Sequence, residues 1–247
     1  MLTFWAKTSG TWVNVAFVLI GTGCGVLLRD RLSHKLQAII TQAVGLTTIF
    51  IGVSMASALS QAKSGQVEGV ILALLALVVG GLLGEWWQLE KQLITLGDWL
   101  KAQFRGGSRF TDGFVAASLL FCIGPMAILG SLNNGLLGDR TILVVKSTMD
   151  GLVSIALTGT YGIGVGFSIM PVLLYQGGLS LLASRLAAVI PDPATAPSIL
   201  LVSGIGGIMI LGLGLNLLNV QKIQIASFLP ALALGPLISW LAQRMLP

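Results

Sequence analysis

The sequence predicts an all-α, polytopic transmembrane helical bundle, and three observations favour this fold class. Of the 247 residues, 55% are apolar and only 9% are charged, whereas a soluble domain has about 25% charged residues. The mean hydropathy is +0.92. The apolar residues fall into runs close to the roughly 20 residues that a helix needs to cross a bilayer. So few charged residues could not keep the surface of a protein of this size hydrated. We therefore expect that most of the surface faces lipid.

Eight predicted spans leave little of the chain outside the membrane. They cover residues 12–28, 37–59, 67–87, 112–132, 142–160, 164–187, 197–220 and 224–245. The segment Thr158–Gly166, between the fifth and sixth spans, is too rich in glycine for a span interior and too apolar for an ordinary loop. It is either a tight hairpin or a break within one discontinuous helix, so about eight spans are expected and seven are the alternative. We treat residues 1–247 as a single integral membrane domain.

The distribution of basic residues predicts the orientation of the chain. The links after the first and third spans carry Arg29, Arg31, Lys35, Lys91, Lys101, Arg105 and Arg109. The two alternate links carry one basic residue each, Lys63 and Arg140. Because cytoplasmic loops hold the excess of Lys and Arg, the richer links are predicted to be cytoplasmic. The N-terminus is then outside.

The cytoplasmic link, residues 88–110, has a pattern of its own. Apolar residues recur there at spacings of three and four, which predicts one apolar helix face. Tryptophans stand nearby at Trp86, Trp87 and Trp99. We expect an amphipathic helix that lies in the headgroup region, with a helix that docks a partner protein as the alternative.

The chain also contains an internal similarity, between repeat 1 at about 12–87 and repeat 2 at about 164–245. Three pairs of segments align in the same order: Gly21–Leu32 with Tyr175–Leu186, Gly45–Ser54 with Gly207–Asn216, and Gly80–Trp87 with Gly235–Trp240. With eight spans, the two copies cross the membrane in opposite directions. Inverted repeats recur in transporters, where two equivalent halves exchange inward-open and outward-open states around a midplane site.

The central spans, about 112–160, and the start of repeat 2 contain candidate helix breaks. Proline inside a span removes a backbone hydrogen bond and kinks or breaks the helix, and in lipid the freed carbonyl needs a partner within the protein or a watery cavity. The helix-break candidates are Gly124, Pro125, Pro171, Gly177 and Gly178. Simple kinks and close glycine packing are the alternatives.

Lys146 and Asp150 are the sharpest candidates for a substrate or ion pathway. They lie four residues apart and therefore share a helix face, and ionisable groups inside a membrane usually line a pathway or pair with each other. The alternative is a structural pair at a span end, with Lys146 reaching out to the interface. Further pathway candidates, for which interhelical hydrogen bonding is the alternative, are Asn14, Gln42, Thr48, Ser54, Tyr161, Gln176 and Asn216.

Signatures of enzymes and metal sites are missing from the sequence. There is no phosphate-binding Walker sequence, no paired-histidine metal motif and no GxSxG elbow. A single histidine and few carboxylates leave little for general acid–base chemistry. Cys24 and Cys122 lie inside predicted spans and are expected to be small packing residues. We therefore expect no enzyme activity, no cofactor, no catalytic residue and no metal.

Several sequence blocks resemble the YdfK/YqgA-like family of bacterial inner-membrane proteins, domain of unknown function 554. They are LFCIGPMAILGS from Leu120, KSTMDG from Lys146 and PVLLYQGG from Pro171, together with VNVAFVLIGTGCG from Val13 and LPALALGPL from Leu229. The resemblance covers essentially the whole chain. It implies a multi-pass protein of the cell inner membrane and leaves the chemistry open.

Taken together, these features favour a secondary transporter or facilitator of a small solute that works by alternating access. An oligomeric channel and a non-transport membrane scaffold or regulatory subunit are the alternatives. The expected partners are the lipid bilayer and a small solute or ion, with a homo-oligomer left open and no nucleic acid.

Overall fold

The computed structural model describes residues 3–29, 33–187 and 197–245 and is almost entirely helical. The helices are α1 Phe4–Arg29, α2 His34–Ala56, α3 Gly69–Trp86, α4 Leu89–Gln103, α5 Phe110–Cys122, α6 Pro125–Leu137, α7 Thr141–Tyr161, α8 Ile169–Val172, α9 Gly178–Ala187, α10 Pro197–Leu217 and α11 Leu229–Met245. Short 3₁₀ turns cover Ser57–Ser60, Ile163–Ser168 and Ile225–Phe228, and a π-helical turn covers Leu173–Gly177. Two-residue strands at Lys63–Ser64 and Val67–Glu68 form a small antiparallel hairpin before α3.

The predicted fold class is confirmed. Within the described residues, seven helical segments are long and apolar enough to cross a membrane, and the bent pair α5–α6 would be an eighth. Each predicted span overlaps one of these segments. The long apolar helices expose Leu, Ile, Val and Phe side chains widely, as lipid-facing surfaces require.

The connection after the fifth span is a tight hairpin. α7 ends at Tyr161, and Gly162 follows with φ +85°, a conformation that glycine adopts without strain. α1 runs parallel to α7, because Gly10 meets Leu143 and Gly25 meets Thr158. It runs antiparallel to the next span, because Thr22 meets Gly166 and Asn14 meets Gln176. The two spans that flank Gly162 therefore point in opposite directions.

The fourth span is broken. α5 and α6 meet at an angle of 60° across a break after Cys122. Gly124 has φ +157°, and Pro125 is the first residue of α6. Proline is well tolerated there because the first N–H groups of a helix have no intrahelical partner. The break thus falls at the predicted Gly124–Pro125 position.

Contacts divide the chain into two compact units. The first comprises Met1–Val44, Ile94–Cys122 and Met126–Pro191. Its centre is the pairing of α1 with α7, at which Gly21 approaches the backbone of Gly151 so closely that no side chain fits. Here α4 also packs on α5, with Gly97 against Thr111 and Phe114.

The second unit comprises Gly45–Leu93, Ile123–Pro125 and Asp192–Pro247. Two antiparallel helix pairs build it. The C-terminal half of α2 packs on α10, where Gly45 meets Gly214 and Gly52 meets Gly207. In the second pair α3 packs on the chain around the start of α11, with Gly80 against Ala231 and Gly84 against Ser227.

The predicted link, residues 88–110, contains the helix α4, Leu89–Gln103. Gly97 and Leu100 of this helix are buried, whereas Leu96 and Trp99 are exposed. The start of α4 is anchored in the second unit, where Glu90 Oε2 accepts a hydrogen bond from the Ala226 N–H at 2.8 Å. Burial raises the pKa of Glu90 above its ordinary value, against the opposing effects of that hydrogen bond and of Lys222.

Candidate functional site

A buried polar cluster lies where α1, α7 and the π-helical turn of the sixth span meet in the first unit. Asp150 is its centre. The Lys146 ammonium forms an ion pair with Oδ2 of Asp150, and the Asn14 amide donates to the same oxygen at 2.9 Å. The Asn14 amide also donates to Gln176 Oε1 at 3.2 Å. Four of the predicted pathway residues are therefore brought together.

The cluster is closed off from the surroundings of the protein. Asn14 and Gln176 have no exposed surface, and Lys146 and Asp150 are 6% and 7% exposed. Lys146 points along α7 toward Asp150, one turn further into the span, and does not reach outward to the interface. An ion pair this deeply buried loses most of its hydration, and its attraction is correspondingly strong in the low dielectric.

The cluster also lies near the middle of its spans. Asp150 is the tenth of the 21 residues of α7, about 14 Å from the helix start at 1.5 Å per residue. Asn14 is the eleventh of the 26 residues of α1. Because the hydrocarbon core is about 30 Å thick, helices of these lengths that cross the bilayer would hold both side chains near its midplane. A charge at this depth is costly and is retained where it has a function or a partner.

Glycine in α1 and α7 positions the Asn14–Asp150 contact. A Cβ atom on Gly21 would collide with the carbonyl oxygen of Gly151, and one on Gly25 would lie 2.6 Å from the Thr158 Cβ. The two backbones therefore run close together, and the short Asn14 side chain spans the gap to Asp150. Gly151 follows Asp150 directly, so the carboxylate stands beside the point of closest approach.

The irregular sixth span positions Gln176. After the 3₁₀ turn Ile163–Ser168, Pro171 lies in the short helix α8, and Gln176 lies in the π-helical turn Leu173–Gly177 that follows. A π turn places more residues in one turn than an α turn and often marks a functional site. The predicted break candidates Gly177 and Gly178 lie at the end of this turn, where it passes into α9.

Three buried polar atoms around the cluster have no hydrogen-bond partner among the residues that the structure describes. They are Asn14 Oδ1, Gln176 Nε2 and Thr11 Oγ1. Thr11 lies three residues before Asn14 and is 1% exposed, and its methyl group lies close to Gly177. Because buried polar atoms are almost always paired, each of these three would be stabilised by a water or by a polar group of a bound solute.

Aromatic and sulfur side chains flank the ion pair. The Lys146 ammonium lies 6.0 Å from the centre of the Phe121 ring, near the outer limit of a cation–π contact. Cys122, at the end of α5, lies within electrostatic range of Lys146, Asp150 and Tyr175. Among the described residues, no group of three or more His, Cys, Asp or Glu could hold a metal ion.

The remaining pathway candidates do not join the cluster. Tyr161 lies at the end of α7, where the Arg109 guanidinium stacks 4.3 Å from its ring centre. Gln42, on α2, is exposed. Thr48, Ser54 and Asn216 belong to the second unit.

In the second unit, Thr48 is buried and Ser54 is exposed. Asn216 closes the loop after α10, because its side-chain amide bonds both the N–H and the carbonyl of Ile223 at 2.7 Å. The Asn216 contacts are local to this loop.

Sequence reasoning missed two polar residues, one in α1 and one beside it. Thr11 is one of them. The other is Asn134 in α6, which is fully buried. Its side chain accepts from the Gly10 N–H at 2.9 Å and donates to the Ala6 carbonyl and the Ser9 hydroxyl, both at 3.1 Å. Their polarity inside an apolar span was the available signal.

Membrane-crossing helices that bury a charged pair halfway along a span define a multi-pass membrane protein. The chain belongs to the DUF554 family, described as protein of unknown function, which it matches over residues 9–240. The resemblance predicted from the sequence blocks is thereby confirmed.

Two relatives cover nearly the whole chain. One is the uncharacterized membrane protein YdfK of Bacillus subtilis (strain 168), 30% identical over 229 residues, which are 93% of this chain and 94% of YdfK. The other is the uncharacterized protein YqgA of Escherichia coli (strain K12), 30% identical over 233 residues, which are 92% of this chain and 94% of YqgA. No solved structure matches the chain.

Proposed function

We propose that this protein is a secondary transporter or facilitator that moves a small solute across the bacterial inner membrane by alternating access. The observation that carries the proposal is the buried cluster of Asn14, Lys146, Asp150 and Gln176. It combines a positive group, a negative group and unpaired hydrogen-bonding atoms halfway along the spans. A purely structural core has no need of an ion pair there, since apolar side chains of similar volume would be at least as stable.

The packing of the three aligned pairs of segments supports an inverted repeat. If the copies are inverted, each helix of one copy runs antiparallel to its counterpart. α2 and α10 are antiparallel, and so are α3 and α11, each pair within the second unit. α1 and the span after Gly162 are antiparallel within the first unit. Such symmetry gives a transporter two conformations of similar energy, open to opposite sides.

The proposed orientation places the N-terminus outside the cell. In the first unit, Gly107 of the basic link and the Gly162 turn both lie beside Arg29 at the end of α1. Arg109 of the same link stacks on Tyr161 at the end of α7. These basic groups therefore gather at one end of the unit, which the positive-inside rule makes cytoplasmic.

In the proposed mechanism, the ion pair opens to receive the solute. An anionic group of the solute would bind the Lys146 ammonium, and Asp150 would take a proton or a cation in its place. The unpaired amide atoms of Asn14 and Gln176 would bind polar groups of the solute. Breaks at Gly124 and in the π-helical turn provide points where a span can bend without losing a regular run of hydrogen bonds.

Cysteine accessibility tests alternating access without knowledge of the solute. Cys24 and Cys122 are first replaced by serine, because the chain has only these two cysteines. Thr11→Cys then places a thiol beside the cluster, and a membrane-impermeant maleimide is applied separately to right-side-out and inside-out vesicles. We expect the thiol to be labelled from both sides of the membrane. A condition that favours the conformation open to one side should raise the labelling rate from that side and lower the rate from the other.

Ile20→Cys is the matched control, because it lies on the same helix and is 65% exposed on the lipid-facing surface. We expect it to react from neither side, since no water reaches it. Failure of Thr11→Cys to react from either side would exclude transport through the cluster and favour a scaffold. Equal labelling from both sides together with steady ion conductance would favour a channel.

A further inference from the structure

A column of buried side chains follows one face of α1. Its members recur at spacings of three and four residues and are Thr11, Asn14, Val18 and Thr22. Residues at these spacings share one face of a helix. Asn14 donates a hydrogen bond to Gln176, so this face of α1 is turned toward the sixth span, Ile163–Ala183.

A matching column lies on the sixth span. Its members are four residues apart, are all buried, and are Ser168, Val172, Gln176 and Ser180. In the stretch 169–182, all of which the structure describes, the other residues are partly or fully exposed. The column is therefore the face that this span turns into the protein, and α1 packs on each successive segment of the span, from the 3₁₀ turn to α9.

The two columns face each other in a constant antiparallel alignment, which the hydrogen bond between Asn14 and Gln176 fixes. Moving along α1 by one turn toward Arg29 corresponds to moving back by one turn along the sixth span. The alignment gives three further levels, which pair Thr11 with Ser180, Val18 with Val172 and Thr22 with Ser168. Two contacts support it, because Thr11 lies close to Gly177 and Thr22 packs on Gly166. The two columns together form the seam.

Each polar residue of the seam has a buried atom without a hydrogen-bond partner among the described residues. These atoms are Thr11 Oγ1, Asn14 Oδ1, Thr22 Oγ1, Ser168 Oγ, Gln176 Nε2 and Ser180 Oγ. Elsewhere in the same unit, the buried hydroxyls of Ser118, Ser147 and Ser154 donate to the carbonyl one turn earlier. The seam hydroxyls do not make this bond. Because an unpaired buried polar atom is destabilising, water or polar groups of a solute would be stabilised along the seam.

One level of the seam is apolar. Val18 and Val172 have no exposed surface. They lie one turn from Asn14 and Gln176, in the direction of Arg29 at the end of α1 that is proposed to be cytoplasmic. An apolar constriction in an otherwise polar route excludes water and can act as a gate. This level therefore separates the midplane cluster from the polar level nearest the cytoplasm.

We propose that the seam is the route of the solute, with a polar binding position on each side of the cluster and an apolar gate on the cytoplasmic side. The inner position is Thr22 with Ser168, the outer position is Thr11 with Ser180, and the gate is Val18 with Val172. This inference rests on the proposed transport function and names its path. Hydroxyl groups are uncharged and both donate and accept hydrogen bonds. The two flanking positions therefore suit the polar, uncharged groups of a small solute, and its charge is recognised only at the cluster.

Cysteine labelling at the flanking positions tests the route. Cys24 and Cys122 are replaced by serine, and Thr22→Cys and Ser180→Cys are each treated with a membrane-impermeant maleimide from either face of the membrane. We expect Thr22→Cys to react faster from the cytoplasmic face and Ser180→Cys to react faster from the outer face. Each variant is first shown to elute as the wild type does in size-exclusion chromatography.

Ser154→Cys is the matched control for Thr22→Cys. Ser154 has no exposed surface and lies beside Gly21, the neighbour of Thr22 on α1. Its hydroxyl donates to the Asp150 carbonyl at 2.7 Å and so has a partner within the helix. Because Ser154 lies between α1 and α7 and outside the seam, its thiol should react from neither face.

Serine substitutions at the gate test the apolar level. Val18→Ser and Val172→Ser are each combined with Thr11→Cys in the background without other cysteines. Because a hydroxyl replaces buried methyl groups, water should enter the gate more easily, and labelling of Thr11→Cys from the cytoplasmic face should become about tenfold faster or more. Val165→Ser is the control, because Val165 is equally buried in the same span but packs on Gly113 of α5. It should leave the labelling rate unchanged.

A thiol at Thr22→Cys that reacts from neither face would overturn the inference, as would gate variants that speed the labelling no more than Val165→Ser does. These failures are distinguishable from failure of the proposed function. Two-sided labelling of Thr11→Cys with an unreactive Thr22→Cys would leave transport standing and place its route outside the seam. Labelling of Thr11→Cys from the cytoplasmic face only when Val18→Ser is present would leave the seam and its gate standing and remove alternating access.

Discussion

Removing one partner of the buried pair should destabilise the protein far more than removing both. Asp150→Ala leaves the Lys146 ammonium, whose side chain is 8% exposed, without a counterion in a site closed to water. Loss of one member of a buried ion pair costs about 3–5 kcal/mol, whereas replacing the whole pair by apolar groups is close to neutral. For a chain of this length, that loss corresponds to a decrease in Tm of about 6–20 °C.

The double variant Lys146→Met/Asp150→Ala, with Lys146→Met and Asp150→Ala as the two single variants, supplies the comparison. We expect its free energy of unfolding to lie within about 1 kcal/mol of the wild type, because Met nearly keeps the volume of Lys146, Ala removes little volume at Asp150, and no charge is left unpaired. The coupling energy from the double-mutant cycle should then be about 3 kcal/mol or more. Unfolding in mixed micelles with increasing SDS, followed by circular dichroism, gives the four free energies.

If each single variant lowers the free energy of unfolding by less than about 1 kcal/mol, the pair behaves like a solvent-exposed ion pair. That result would refute the assignment of Lys146 and Asp150 to a site without water. A double variant as unstable as the sum of the two singles would refute it as well. In either case Lys146 and Asp150 would be in contact with water in the resting protein.

Three further predictions follow from glycine packing and from the anchor of α4. Gly21→Val should lower the free energy of unfolding by about 1–3 kcal/mol or more, because its side chain would collide with α7. Gly23 faces open space, so Gly23→Val should have a free energy of unfolding within about 0.5 kcal/mol of the wild type in the same assay. Gly162→Ala should cost about 1–3 kcal/mol through its positive φ, and Gly178→Ala should not. Because burial raises the pKa of Glu90 in the folded state, its contribution to stability is largest at acid pH and is lost as pH rises through that pKa. Glu90→Gln should therefore gain in Tm relative to wild type as the pH rises from 4.5, the ordinary pKa of this carboxyl group, to neutral pH, and a constant difference would contradict this.

The membrane-spanning helices could be predicted from the sequence because each one is an apolar run long enough to cross a bilayer. Each of the eight predicted spans overlaps an observed segment. The open question at Thr158–Gly166 needed the structure, since local composition allows both a hairpin and a broken helix. The direction of α1 relative to the two flanking spans decides for the hairpin.

The candidate site could be predicted only in part. The Lys146–Asp150 pair follows from a spacing of four on one helix, which needs no tertiary information. The contact of Asn14 with Asp150 depends on glycines in α1 and α7, which let the two helices pack closely and which meet only after folding. The placement of Gln176 depends on a π-helical turn, which leaves no periodic signal in the sequence. Gln42 and Ser54 had the same polarity as the cluster residues but lie on exposed surface.

The labelling of Thr11→Cys from the two faces of the membrane is the measurement closest to the central claim, that a polar site halfway through the bundle is reached from each side in turn. The account predicts a measurable rate from both faces, with Asp150→Asn altering the two rates in opposite directions. A thiol that reacts from one face only, whatever the variant, would contradict it.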